Sequence, residues 1–154
     1  VTTKDGKLAK AACTITVGTP TPPIPPGPDP PVPPGPTPGP APIPLAGLRV
    51  LIVYETADAT KMPAAQQLIL YGKPSRDYLN SKCVNGADGK TKEWRIYDQN
   101  IDANTDSKLW ADAMARPRTG LPWLLVSTGK TGCEVLLPAT VDETLALLKK
   151  YFGE

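Results

Sequence analysis

Residues 118–152 read RTGLPWLLVSTGKTGCEVLLPATVDETLALLKKYF and contain three consecutive elements. The apolar runs LPWLLVS and CEVLLP predict two strands, and TGKTG between them predicts the turn of a hairpin. The sequence from Thr140 to Glu143 is a capping box, which predicts the first turn of a helix. Helical spacing then predicts a buried face made of Val141, Leu145, Leu148 and Phe152. A hairpin and an amphipathic helix therefore close the chain.

Two strands are predicted upstream of this hairpin. The run LRVLIVYE at 48–55 is continuously apolar, as in a strand that is buried on both faces. EWRIYD at 93–98 predicts the second strand.

Helical segments are predicted between these strands. The first begins near Pro63, is interrupted at Gly72 and Pro74, and resumes as SRDYLNSK. DSKLWADAMA at 106–115 predicts another helix, with Thr105 or Asn104 as its N-cap. The expected packing residues are Leu68, Ile69 and Tyr71 in the first helix and Leu109, Trp110, Ala113 and Met114 in the last.

The resulting order, β-α-β-α-β-β-α over about residues 47–153, resembles the thioredoxin fold. In thioredoxins a cis-proline precedes the third core strand, and Pro122 falls on that position. Their first core strand ends in a Trp-Cys-x-x-Cys-Lys-Met segment, and residues 56–62, TADATKM, fall on it. The resemblance implies a three-layer α/β domain spanning residues 45–154.

The same comparison indicates that this domain has no redox chemistry. Ala57 and Thr60 stand where thioredoxins carry their two cysteines, and thiol–disulfide exchange needs both sulfurs. The chain has no histidine, so Thr60 lacks the usual activating base, and Asp58 has no evident partner carboxylate. We therefore expect a protein that is not an enzyme and that uses no cofactor.

A groove is a further implication of the resemblance, since thioredoxin-like domains pair an extended peptide with the backbone before the cis-proline. Leu121, Pro122 and Trp123 would line this groove beside Tyr54, Asp58 and Lys61. The alternative is that the loop is merely structural.

The first eighteen residues predict a hairpin or a single strand. Asp5-Gly6 is a turn dipeptide, and the residues after it alternate in the period-2 pattern of a half-buried strand. The segment resembles the closing hairpin of a bacterial immunoglobulin-like domain. A strand without its own sheet would add to another sheet, through Ala11, Cys13, Ile15 and Val17. The alternative is a disordered tail.

Residues 19–44 form a proline-rich linker, since fifteen of the twenty prolines lie between Pro20 and Pro44. Proline at this density favours polyproline II and predicts a semi-rigid spacer. The alternative is that the segment docks on an aromatic surface, with Ile24, Val32 and Ile43 as its apolar contacts.

Several other sequence features do not point to a specific function. The 17 basic and 15 acidic residues include no basic block, so nucleic acid is not an expected partner, and no apolar run approaches the length of a membrane span. Cys83 and Cys133 would be buried free thiols or a disulfide. The tryptophans would either pack in the core or stack on bases or sugars. Asp98, Asp102 and Asp106 would form either a polar helix start or a metal site.

These zones together predict a non-catalytic structural or display protein of an extracellular, envelope, filament or virion assembly. Its partners would be other copies of the chain or a neighbouring structural subunit. The alternative is a soluble module that recognises a peptide or ligand in the groove. Because the chain begins at Val1, we expect it to be processed or part of a longer protein.

Overall fold

The computed structural model describes residues 39–152. In this part of the chain, five strands form one mixed sheet and four α-helices pack against it, which confirms the predicted α/β class. The strands are β1 Gly39–Pro40, β2 Arg49–Tyr54, β3 Trp94–Asp98, β4 Trp123–Ser127 and β5 Thr131–Leu136. The helices are α1 Ala64–Tyr71, α2 Lys73–Lys82, α3 Lys108–Met114 and α4 Val141–Phe152. Short 3₁₀ helices span Thr56–Lys61 and Ala103–Thr105.

The strands lie in the order β1-β5-β4-β2-β3 across the sheet. β2 runs parallel to β3, and every other neighbouring pair is antiparallel. The β4–β5 hairpin is confirmed, with Ser127 opposite Gly132 and Gly129 in the turn at a φ of +83°. Gly129 and Lys130 therefore form the hairpin turn, and Thr131 begins β5.

The two faces of the sheet carry separate cores, because successive side chains of a strand point to opposite faces. On β2, Val50 and Ile52 lie in one core, and Leu51 and Val53 lie in the other. Helices α1, α2 and α4 cover the first core, and α3 covers the second. Helices therefore cover both faces of the sheet.

The tryptophans mostly serve packing. Trp110 of α3 and Trp123 of β4 are 1% and 2% exposed and lie in the same core. Each such side chain removes roughly 150–250 Å² from water. Trp94 differs, because it lies half-buried on the edge strand β3.

The start of α4 is the predicted capping box. The Thr140 hydroxyl accepts a hydrogen bond from the Glu143 amide at 3.2 Å, and the Glu143 carboxylate accepts one from the Thr140 amide at 3.1 Å. The predicted cap of α3 was wrong. Ser107 caps this helix, accepting a hydrogen bond from the Trp110 amide, because its extended backbone turns the hydroxyl back over the first turn. Asn104 and Thr105 belong to the preceding 3₁₀ helix.

The packing face of α1 differs from the prediction. Ile69 and Leu70 are fully buried, whereas Leu68 and Tyr71 are 57% and 52% exposed. Consecutive helix residues are about 100° apart, so a helix that presents positions 69 and 70 to the sheet turns their outer neighbours toward solvent. On α4 the predicted Phe152 is likewise exposed, and the Lys82 ammonium lies 4.5 Å from its ring centroid.

Residues 39–44, assigned to the linker from sequence, pack against the domain. β1 pairs with Thr131 and Gly132 of β5, and Ile43 is buried in the core under α3. The close approach requires glycine at 132, because a Cβ there would collide with Pro42 and with the Val126 carbonyl. The predicted N-terminal strand, residues 1–18, and the linker up to residue 38 lie outside the described residues.

The helices of residues 39–152 are short. Their longest helix, α4, has 12 residues, and none of their helices is long and apolar enough to cross a bilayer.

Candidate functional site

The end of β2 and the start of β4 meet at one edge of the sheet. Val53 is paired with Trp123 in the antiparallel β2–β4 ladder, so the residues after Tyr54 and those before Trp123 are neighbours. The chain leaves β2 through the 3₁₀ helix Thr56–Lys61, and the peptide bond between Leu121 and Pro122 is cis, as the sequence predicted. These two segments face each other across a small groove.

This cis-proline groove holds a cavity of about 230 Å³. The cavity brings together four of the predicted residues, namely Asp58, Lys61, Leu121 and Pro122. Sequence reasoning missed the other residues that line it, which are Glu55, Met62, Pro63 and Gln66. Glu55 had a usable signal, since it is the first residue after a buried strand.

Two predicted residues do not line the cavity. Trp123 is the first residue of β4 and points into the core under α3, with the Arg118 guanidinium 5.7 Å from its ring centroid. Tyr54 points to the opposite face of the sheet and packs edge-to-face on Tyr71 at 6.5 Å between ring centroids.

The floor of the groove is tied to the closing elements of the fold. The Gln66 side-chain amide donates to the carbonyls of Leu137 and Pro138, at 3.1 and 3.2 Å. The Leu137 amide in turn donates to the Pro122 carbonyl at 2.8 Å. α1, the cis-proline and the loop after β5 are therefore held together.

Two carboxylates shape the 3₁₀ helix at the mouth of the groove. Asp98 accepts hydrogen bonds from the Thr56 and Asn100 amides, both at 2.8 Å. A hydrogen bond from the Thr56 side chain, together with these two bonds, lowers the pKa of Asp98 to about 2. Glu55 accepts one from the Ala57 amide at 3.1 Å, and this bond, together with Gln99, lowers the pKa of Glu55. Both carboxylates are ionised at neutral pH, and both already accept hydrogen bonds from the loop itself.

The charged pair inside the groove is Asp58 with Lys61. The ammonium lies 2.7 Å from a carboxylate oxygen, and this hydrogen bond raises the pKa of Lys61. Both side chains are solvent-exposed, so the pair itself adds little stability and either charge is accessible to a ligand.

The side chains of the 3₁₀ helix limit the chemistry available beside the groove. Ala57 and Thr60 are exposed on the 3₁₀ helix, and alanine offers no nucleophile. Thr60 would need a base to become one. The carboxylates of Asp98, Glu55 and Asp58 are already engaged with the loop and with Lys61.

The three aspartates weighed as metal ligands do not converge. Asp98 holds the groove loop, Asp102 caps the 3₁₀ helix Ala103–Thr105, and Asp106 binds the Arg95 guanidinium and the Tyr97 hydroxyl. The part of the chain that the structure describes contains no group of three histidine, cysteine or acidic residues suited to a metal.

Cys83 and Cys133 are both free and buried in the same core. Burial raises the pKa of the Cys83 thiol to about 12 and raises that of Cys133 as well. Neither thiol is therefore a nucleophile at neutral pH.

A larger cavity of about 650 Å³ lies at the opposite end of β2 and β3. Four of its five charged side chains are paired, Arg49 with Glu93 and Arg95 with Asp106, and the fifth, Asp88, accepts hydrogen bonds from the Lys90 and Thr91 amides at 2.9 Å. Arg49 also donates to the carbonyls of Leu45 and Ala46, both at 2.8 Å. These contacts fix the residues that precede β2, so we assign the cavity a structural role.

Comparisons of the chain with family models, with curated proteins and with solved structures found no match.

Proposed function

We propose that residues 45–154 form a thioredoxin-like domain without redox activity, carried by a non-catalytic structural or display protein. Four features support this proposal: the strand order, the parallel β2–β3 pair, the closing hairpin with α4, and the cis peptide bond before β4. The protein would belong to an extracellular, envelope, filament or virion assembly. Its domain would be carried on the proline-rich linker.

One observation carries the non-catalytic part of the proposal. Ala57 and Thr60 lie three residues apart on an exposed 3₁₀ helix beside the cis-proline. Side chains at i and i+3 eclipse in a 3₁₀ helix, which is the placement a dithiol would need. This placement supports a thioredoxin-like scaffold in which the two sulfurs are absent.

Restoring the sulfurs tests the scaffold. The double variant Ala57→Cys/Thr60→Cys should form an intramolecular disulfide under mild oxidation and gain insulin-reducing activity, while the unaltered chain has none. The matched control is Ala57→Ser/Thr60→Ser, which preserves size and polarity without thiols. Two thiols that stay free under oxidation would argue against the thioredoxin-like assignment, and reductase activity in the unaltered chain would overturn the non-catalytic one.

The N-terminal strand would anchor the protein to another copy or to a neighbouring subunit. In the full chain, Ile15→Asp/Val17→Asp places charges on the face expected to be buried and should weaken self-association. The matched control, Thr14→Asp/Thr16→Asp, charges the opposite face of the same strand. If the unaltered chain sediments as a monomer whose first eighteen residues are cut readily by protease, the anchoring role fails.

The cis-proline groove favours a second candidate, recognition of an extended peptide. Its cavity of about 230 Å³ is smaller than the roughly 300–1,000 Å³ of typical small-molecule pockets, so it suits a single peptide side chain. Lys61→Glu should then abolish thermal stabilisation by peptides from a library, while the exposed Lys108→Glu on α3 should not. Equal stabilisation of both variants would exclude the groove.

A further inference from the structure

The edge of the sheet at β3 carries a row of partly exposed aromatic and apolar side chains. Trp94 and Ile96 stand opposite Val50 and Ile52 in the β2–β3 ladder, so they point to the face covered by α1 and α2. Tyr54 follows on the same face at the end of β2, and Tyr71 of α1 packs on it. We call Tyr54, Tyr71, Trp94 and Ile96 the aromatic strip.

The rings of the strip are held in place by partners in the domain. The Trp94 indole N–H donates to the Asn80 side chain at 2.9 Å. Tyr54 and Tyr71 meet edge-to-face with an interplanar angle of 87°. Rings fixed in this way bind a ligand at little cost in conformational entropy.

The backbone beside the strip does not suit an added β-strand. The Glu93 carbonyl accepts from Val50 inside the sheet, so the carbonyls of Lys92 and Trp94 point outward. The Arg95 guanidinium covers both, donating to them at 2.8 and 2.9 Å. A ligand for this edge must therefore bind through contacts with the aromatic rings and not through backbone hydrogen bonds to β3. A polyproline II segment is such a ligand.

This chain contains such a ligand. Prolines recur every third residue at positions 22, 25, 28, 31 and 34. Polyproline II has three residues per turn, so in that conformation these five would form one continuous stripe about 37 Å long. Asp29 is the one charged residue between positions 19 and 44, and Arg76 beside Tyr71 offers it an opposite charge.

The stripe is expected to reach the strip of another copy. It joins its own domain at β1, and β1 and β3 lie at opposite edges of the five-stranded sheet, about 19 Å apart. For the stripe to bind its own domain, the chain would have to reverse direction within the few residues between Pro34 and Gly39. A proline-rich segment is too stiff to favour such a reversal.

We infer that the proline stripe of one copy docks on the aromatic strip of the next. The contact joins two different surfaces, so it can propagate into a ring or a filament. This inference rests on the proposed structural role and names the partner in it.

The test uses the full chain and sedimentation velocity over a range of concentrations. Tyr71→Ser/Trp94→Ser, which alters the strip, and Pro25→Ala/Pro28→Ala/Pro31→Ala, which alters the stripe, should each weaken self-association about tenfold or more. Leu68→Ser is the matched control, because Leu68 is an exposed apolar residue of α1 outside the strip. Unchanged thermal unfolding of each variant confirms that the domain still folds.

Mixing the two defective variants gives the decisive result. With Ile15→Asp/Val17→Asp added to both, so that the N-terminal strand does not contribute, each retains one intact surface and an equimolar mixture should form dimers that do not grow further. Mixtures that stay monomeric, or a Leu68→Ser effect as large as that of the strip variant, would overturn the inference. A synthetic peptide of residues 20–37 should also bind Ile15→Asp/Val17→Asp, which separates failure of the strip from failure of the N-terminal anchor.

Discussion

The Ser127 hydroxyl binds both backbone groups of Ile43. It accepts a hydrogen bond from the Ile43 amide at 3.1 Å and donates one to the Ile43 carbonyl at 2.8 Å, and both bonds are buried. Ile43 is 4% exposed, so neither backbone group has water as a substitute partner. One side chain of β4 therefore fixes the segment that precedes β2 onto the sheet.

Replacing this hydroxyl should destabilise the domain. Ser127→Ala leaves a buried donor and a buried acceptor unpaired, and such groups cost about 1–3 kcal/mol of unfolding free energy. Chemical denaturation measures the loss. Lys130→Ala in the exposed hairpin turn is the control, with an expected change within about 0.5 kcal/mol. Equal stability of the two variants would mean that Ile43 is not held as described.

The buried pair of Arg49 and Glu93 should behave as a unit. Their side chains are only 10% and 12% exposed, and removing one partner of such a pair costs about 3–5 kcal/mol. Arg49→Met should therefore unfold at much lower denaturant, and Arg49→Met/Glu93→Met should recover part of the loss. Lys108→Ala, which breaks the exposed pair with Asp112, should change stability by less than about 1 kcal/mol. Additive losses in the double variant would contradict this coupling.

The loop of the cis-proline groove should be sensitive to acid through Asp98. Its pKa in the folded chain is about 2, below the ordinary value of 3.8, so its stabilising effect is complete above about pH 4 and is lost as the pH falls through 2. The stability difference between the unaltered chain and Asp98→Asn should therefore shrink over this range. Asp77→Asn on exposed α2 is the control. A constant difference from pH 6 to pH 2 would exclude this role for Asp98.

The two buried thiols should resist modification. With Cys13→Ser as background, Cys83 and Cys133 should react with a thiol reagent only on unfolding, because burial holds the pKa of Cys83 near 12. The raised pKa also means that stability falls as the pH rises above 9, where the unfolded thiol ionises first. Mass spectrometry under non-reducing conditions would contradict free thiols if it found a bond between them.

The sequence was most informative where a local pattern has one structural solution. The capping box at Thr140 and Glu143 predicts hydrogen bonds within four residues, and both are present. The apolar run of β2 and the turn at Gly129 are equally local. Each of these elements could be read without knowledge of the rest of the chain.

The sequence was less informative where tertiary contacts choose among equivalent residues. Leu68 is as apolar as Leu70, and only the placement of α1 on the sheet decides which of them is buried. Gln66 and Met62 line the groove because the loop after β5 passes beside α1, which no local pattern encodes. In the sequence, Ile43 resembles the other apolar residues of the proline-rich segment. Only the fold, which brings the Ser127 hydroxyl to its backbone, distinguishes it.

The anchoring of Ile43 also has a mechanical consequence. Tension carried along the proline-rich segment enters the domain at Gly39 and meets the β1–β5 pairing, the buried Ile43 side chain and its two bonds to Ser127 before it reaches β2. Strand β2 is thereby shielded from the pull. A domain tethered at this point can release β1 and a few further residues under load while the other four strands stay paired.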